Sequence, residues 1–328
     1  ADADADAFGA VQEATVGDEV FIPGMSANKL VVEDGQITGA DYGTVALKLG
    51  FDTPLFRTAE LGGSMHISGG SQLNLFDGQS VVEAGFALWP EAVEAVAAGA
   101  GGLTETGSYT IAVTYEWLDN NGNMQRSAPS IPVSVSITAG QIFVLIIPTL
   151  PFTDKSSVND RAPIRIQVYR SIVNQSAVLY EDVSALNTLA ATAVTINLSQ
   201  ADSTLRDNAV LYTTGGILEN SAAPPSSVAW VHKNRMWLAG LEDANTLAYS
   251  KEYAPGDGVG FNDGQRITVD PAGGSVLGLS SLDDKLVIFK KDRIFTLSGD
   301  GPLTTGEQFD YGQPQPVAGD VGCSNQES

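Results

Sequence analysis

The chain has 328 residues, enough for more than one domain and a sizeable core, and its apolar content of 43% is that of an ordinary folded protein. Its 39 acidic and 17 basic residues leave a net charge of −22, which repels phosphate and argues against specific nucleic-acid binding; it suits plain solubility, or a lumen through which DNA slides without sticking. A single cysteine, Cys323, excludes a disulfide framework or a cysteine metal site within one chain and reads as a small apolar filler near a turn, and the longest apolar run, Ile142–Ile147, is too short to span a bilayer.

The opening, Ala1–Ala7, alternates alanine with aspartate. A calcium loop of this form needs a glycine turn and a bidentate acid further on. Neither is in register, so the stretch reads as a solvated arm. It has neither the basic region nor the apolar run of a secretory leader. The sequence lacks an initiating Met and stops in GCSNQES, which looks like the lead-in to another strand, so processing or truncation is expected at both ends. Short strands are expected at Glu19–Ile22, Lys29–Val32 and Val45–Leu49, with Glu33-Asp34-Gly35 as a hairpin turn. Ser64–Ser68 and Leu73–Phe76 read as a pair around Gly69-Gly70, and Asp77-Gly78 turns into Ser80–Glu83. Trp89-Pro90-Glu91 then opens an Ala-rich segment. Proline followed by glutamate suits a helix start, small residues before a glycine run suit a linker equally well, and Glu91–Gly102 is taken as a boundary.

From Ser108 the pattern changes. Tyr109, Ile111, Val113 and Tyr115 alternate with Thr110, Ala112, Thr114 and Glu116, the period of a strand. Asp119–Asn123 holds a glycine-centred turn. Strands follow at Val133–Ile137, Ile142–Ile147, Ile164–Tyr169, Ala177–Glu181 and Ala193–Leu198. Such a set has the size of an immunoglobulin-like or fibronectin-III-like sandwich. Ile142–Ile147 shows no alternation, so it is expected to be buried on both faces or covered by a partner. Asp202–Leu211 is polar with Leu205 and Val210 as anchors, and Ser221–Ser227 is a Pro-rich return linker.

Beyond it, short apolar strands alternate with tight polar turns. Val228–Val231 and Arg235–Gly240 flank His232-Lys233-Asn234; Thr246–Ser250, Arg266–Val269, Val276–Leu279, Lys285–Phe289 and Arg293–Leu297 follow, the last two around Lys290-Lys291-Asp292. This spacing predicts an all-β sandwich, barrel or propeller. The repeat is weak: "NRMWLAG" and "DKLVIFK" share a polar turn, a basic residue and an aromatic-bearing strand, as divergent blades or any hairpins would.

No motif commits the chain to catalysis. His66 and His232 lie in different expected units and in no metal-ligand spacing, and His232 is expected to face solvent. Gly256–Gly260 superficially resembles a phosphate loop, but Phe261-Asn262-Asp263-Gly264 follows, which is turn chemistry. Acidic pairs (Asp283-Asp284, Glu91 with Glu94, Asp257 with Asp263) read as turn and surface acids, with a glycosidase pair across a cleft as the enzymatic alternative. Trp117, Trp230 and Trp237 sit in strand patterns and read as core rather than as a sugar platform. No catalytic, cofactor or metal residue is assigned.

The segments "NRMWLAG", "LAYSKEYAPGDGVGFND" and "GLSSLDDKLVIFKKDRIFTLSGDG", with "LNLFDGQSVVEAGFALWPE" and "GSYTIAVTYEWLDNNGNMQRSAPS" earlier, resemble the tail nozzle (tail tubular or stabilisation) proteins of short-tailed bacteriophages. The resemblance spans most of Leu61 to Cys323. It implies an all-β fold, a β-propeller, complete or not, with an inserted sandwich: 1–102 an arm and first propeller strands, 103–220 the sandwich, 221–328 propeller blades. It implies a non-enzymatic virion tail protein without cofactor, forming a hexameric ring below the portal and adaptor that retains or conducts the genome. Its partners would be copies of itself, portal or adaptor and tail fibre proteins, and passing DNA without sequence-specific binding, with no membrane. The alternative is an adhesin or carbohydrate-binding propeller module, and after it a propeller glycosidase.

Overall fold

The computed structural model describes residues 29–34, 43–49, 56–155, 163–188, 190–307, 311–319 and 321–326. The acidic opening stretch and the strand expected at Glu19–Ile22 lie outside them, as does Gly35 of the expected first turn. β1 (Lys29–Asp34) and β2 (Gly43–Leu49) pair antiparallel as a two-stranded sheet.

Three further sheets are four-stranded antiparallel meanders. The first is β3 (Arg57–Leu61), β4 (Ser64–Ser68), β5 (Asn74–Phe76) and β6 (Val81–Glu83), paired in sequence order. Between it and the second meander the chain builds two facing sheets. One strand of the smaller sheet is β7 (Glu94–Ala98). The larger sheet begins with β8 (Gly107–Leu118), β9 (Met124–Arg126) and β10 (Val133–Ile137). β11 (Ile142–Pro148) joins β7, and β12 (Arg165–Arg170) and β13 (Tyr180–Leu186) complete the larger sheet in the order β10-β8-β12-β13, with β9 paired to one end of β8. β14 (Ala193–Leu198) completes the three-stranded sheet β14-β11-β7, and a single helical turn, α1 (Asp202–Leu205), follows.

The Ala-rich segment is therefore neither helix nor linker. Ala95 and Ala97 pair with Leu145 and Phe143 of β11, so the smaller sheet takes a strand from before the expected boundary at Gly102. Small side chains let an edge strand lie flat over the core. Alternation explains β8 only in part. Tyr109, Ile111, Val113, Tyr115 and Trp117 turn into the space between the two sheets, where the Tyr109 and Phe143 rings meet edge-on at 5.1 Å. Ala112, Thr114 and Glu116 on the other face are buried as well, because the returning segment lays Leu179 and Leu211 over Ala112 and Tyr169. β11 is not buried on both faces, the first of the two alternatives expected for it. Phe143, Leu145 and Ile147 are fully buried, yet Ile146 is 43% exposed and Val96 beside it 54%. An unbroken apolar run has one face in the core and one face open.

Inside the larger sheet, Arg170 is wholly buried. Its guanidinium meets Asp182 and Asp202, each at 2.8 Å, and lies over the Tyr109 ring. Burial raises the Asp182 pKa despite that guanidinium. The pairing ties the helical turn to the sheet, since an unpaired guanidinium could not remain there.

The second meander is β15 (Val228–His232), β16 (Arg235–Ala239), β17 (Thr246–Ser250) and β18 (Phe261–Thr268). The third is β19 (Val276–Leu282), β20 (Lys285–Lys290), β21 (Ile294–Leu297) and β22 (Gln315–Pro316). β15 extends to His232, and the turn is Lys233-Asn234, both with positive φ (48° and 55°), as a two-residue hairpin requires. His232 is buried rather than solvent-facing: its Nδ1 lies 3.0 Å from the Ser281 hydroxyl of the next meander. Lys290, placed in a turn by its charge, closes β20 and is fully buried, its ammonium donating to Asn245 and to the Asp270 carbonyl. β18 starts five residues before the expected Arg266, at Phe261, with an irregular register against β17.

β15 lies beside β3 on one side and β19 on the other. All of β16 is buried because its two faces serve two cores. Met236 and Leu238 belong to the core shared with the first meander and the facing sheets, while Trp237 and Ala239 pack with Leu279, Ile288 and Phe295 of the third. The chain is thus all-β, with several antiparallel sheets and no closed barrel or propeller among the described residues.

Candidate functional site

The inserted sheets are clasped to the meanders by a hairpin tip. The Asp119–Asn123 turn pushes three asparagines into the first meander: Asn121 donates to the Gly63 carbonyl and the Ser64 hydroxyl, Asn123 to the Gly62 carbonyl, and the Asn120 backbone N–H to the Asp77 carboxylate. On its other side the hairpin meets the Gly256–Gly260 loop. Met124 N–H donates to the Gly256 carbonyl and Gly258 N–H to the Met124 carbonyl. The glycines here serve close approach, because a Cβ on Gly258 would stand 2.5 Å from the Gln125 side chain and one on Gly260 2.6 Å from Asn220. The loop that resembles a phosphate cradle spends its geometry on a protein contact.

Behind the clasp lies a polar network. Glu116 accepts from the Tyr169 hydroxyl at 2.6 Å and from Thr114 at 3.0 Å, with Arg126 at 3.5 Å; Arg126 in turn meets Asp257 at 2.7 Å. Burial and the Glu116 charge push the Tyr169 phenol up, so it stays protonated and acts as a donor. Burial, with Glu116 adding, also raises the Glu181 pKa. Asn220 joins the parts: its backbone N–H donates to the Tyr212 hydroxyl, its side-chain amide to the Arg126 carbonyl, and its oxygen accepts from Lys251. Lys251 also donates to the Leu218 carbonyl, and burial brings its pKa down to about 8.

Between the inserted sheets and the second meander, this joint leaves a cleft of about 840 Å³. It is lined by the apolar Leu88, Trp89, Ile131, Leu179 and Leu211 and by the polar Glu219, Asn220 and Asp263. That volume lies in the range of ligand pockets.

The residues singled out in the sequence lie elsewhere. His66 is fully buried in β4, and burial lowers its pKa to about 4. Ser64 and Asp119 lie near it, but the Ser64 hydroxyl approaches the Asp119 carboxylate directly, which is not the order of a nucleophile, a base and its orienting acid. Of the acidic pairs, Asp263 is on the cleft while Asp257 is engaged by Arg126. Asp283 sits in the β19–β20 turn with φ 53°. Trp117 and Trp237 are core, and Trp230 donates its indole N–H to Ser281. Trp89 is the most exposed of the four tryptophans, at 42%, with Trp230 intermediate. Its signal was present in the sequence, since it follows Leu88 and precedes Pro90 outside any alternating strand. Cys323 is half-buried at the third meander, its N–H donating to the Lys290 carbonyl.

Among the described residues no group of three or more His, Cys, Asp or Glu is placed to hold a metal, and no helix is long and apolar enough to cross a membrane. The chain matches no protein-family model and no curated protein.

Proposed function

We propose that this chain is a structural protein of a bacteriophage tail, of the nozzle type, that assembles with copies of itself into a ring extending the DNA channel. The observation that carries the reading is the arrangement of the meanders. Three four-stranded units stand with their first strands side by side, β15 between β3 and β19, as neighbouring blades of a propeller do, and a two-sheet unit is inserted between the first and second. The resemblance of the segments quoted from the sequence points the same way. The insertion is read as an immunoglobulin-like or fibronectin-III-like sandwich. Its open sheet face, with Ile146 and Val96, is the surface offered to the neighbouring copy. A ring buries such a face in every copy. The net charge of −22 would let DNA pass without adhering. Portal, adaptor and fibre proteins would be the neighbours along the axis.

Native mass spectrometry of the purified chain under assembly conditions tests the ring, and a stable monomer across micromolar concentrations would sink it. Imaging of the assembled particle tests the position on the tail axis. A second reading, a carbohydrate-binding module, is favoured by Trp89 alone, an aromatic ring open to solvent beside polar groups in the cleft. Glycan-array binding that Trp89→Ala abolishes would establish it.

A further inference from the structure

The cleft at the joint has a chemistry that ring formation does not use. Leu88 is 40%, Trp89 42% and Ile131 82% exposed, so three large apolar side chains crowd one concavity and remain in contact with water. Scattered singly they would need no explanation; gathered around a cleft they mark a surface that is covered by something. The same lining carries two exposed carboxylates, Glu219 and Asp263. Among the described residues no lysine, arginine or histidine lines the cleft; Arg266 stands 3.9 Å from Asp263, at the edge of ion-pair range and itself exposed.

We propose that this cleft is a docking site for an extended segment of a partner protein, one that sets an aliphatic or aromatic anchor beside a lysine or arginine. The anchor would be covered by Leu88, Trp89 and Ile131, and the cation would face Glu219 and Asp263. Buried anchors and arginines are the groups that dominate such contacts, and a rim of one sign selects its opposite. The same carboxylates disfavour a phosphate, a nucleic acid or an acidic peptide. They also disfavour this chain's own Ala1–Ala7, which carries three aspartates. A glycan, whose hydroxyl groups would meet Ser130, Ser176, Thr213, Thr214 and Asn220 in the same lining, is the competing occupant that the glycan array separates from a peptide. The site stands on its own lining and does not depend on ring assembly.

The test uses the full chain, fluorescently labelled, on an array of immobilised 12-residue peptides. Each has a Leu, Phe or Trp anchor next to Arg, with matched peptides in which Arg becomes Glu or the anchor becomes Ser. A glycan array runs in parallel. The expected result is binding to the anchor-plus-Arg peptides that falls about tenfold or more with either change, weakens with salt, and quenches or shifts Trp89 fluorescence with the soluble peptide. Ile131→Asp and Glu219→Lys should each lower binding at least about tenfold with an unchanged melting temperature, while Val96→Asp, on the other exposed apolar face, should not. The proposal is overturned if no anchor-plus-Arg peptide binds, if Arg and Glu peptides bind alike, if glycans rather than peptides bind in a Trp89-dependent way, or if Ile131→Asp abolishes self-association, which would make a second copy the occupant. A ring without peptide binding defeats only this site; a monomer that binds peptide defeats only the ring.

Discussion

Tyr253, in the loop after β17, donates its hydroxyl to the side-chain oxygen of Asn123 at 2.9 Å, joining the second meander to the hairpin of the inserted sheets across 130 residues of sequence. The same ring lies against Gly62, where a Cβ would stand 2.7 Å from the Tyr253 ring. One phenol thus holds together the first meander, the insertion and the second meander.

Two substitutions separate its polar and steric parts. Tyr253→Phe should cost about 1 kcal/mol, the net worth of one hydrogen bond with its partner still near water. Gly62→Ala should cost more, because φ is +68° there and the methyl group meets the Tyr253 ring. Thermal unfolding gives the order, and amide exchange of residues 119–123 should quicken in both. Equal costs would remove the steric role assigned to Gly62.

His66 makes stability fall in acid. Its folded pKa of about 4 lies below the unfolded value of 6.5, so between those limits the unfolded chain binds the proton and the folded chain does not. Stability should be undiminished above pH 6.5 and decline toward pH 4, by up to about 3 kcal/mol from this residue. Denaturant titrations across that range compare the native chain with His66→Gln. A slope unchanged by the substitution would reject the assignment.

Lys251 acts at the other end of the pH scale. Its folded pKa of about 8 lies below the 10.5 of the free side chain, so the unfolded chain again holds more protons, and stability should rise between pH 8 and pH 10.5. Tyr212 and Tyr311, whose phenols burial pushes well above the usual value, oppose this only above pH 10, where unfolded tyrosines ionise. Lys251→Met should flatten the rise. The comparison is the pH dependence of the unfolding midpoint in the two proteins, and identical curves would exclude the lysine as its source.

The two faces of β11 should respond differently. Phe143→Ala opens a cavity between the sheets and should cost about 3–5 kcal/mol. Ile146→Lys, on the open face, should leave the melting temperature within a few degrees, since surface substitutions are usually within about 0.5 kcal/mol. If that face joins neighbouring copies, Ile146→Lys should lower the oligomer mass seen by sedimentation. A full-size oligomer would move the interface elsewhere.

Most strands of the meanders are legible because they carry their own turn chemistry: Lys233-Asn234, Asp77-Gly78 and the Asp283-centred turn announce reversals locally, whereas β3 and β22 were not among the expected strands. β7 was not legible. Alanines between glycines have no strand preference of their own, and only pairing with β11 makes Glu94–Ala98 a strand. The burial of Lys290 and His232 was hidden for a related reason. A charged or titratable residue next to a turn reads as exposed until a neighbouring sheet supplies Asn245, the Asp270 carbonyl or Ser281.

The all-β character can be read from the sequence alone, because alternation and turn residues act over a few positions and need no distant partner. The folded arrangement alone sets which segments share a sheet, which apolar run keeps an open face, and that Leu88, Trp89 and Ile131 line one cleft with two carboxylates. Those outcomes depend on contacts between residues far apart in the chain, and no local pattern encodes the distance between Trp89 and Asp263.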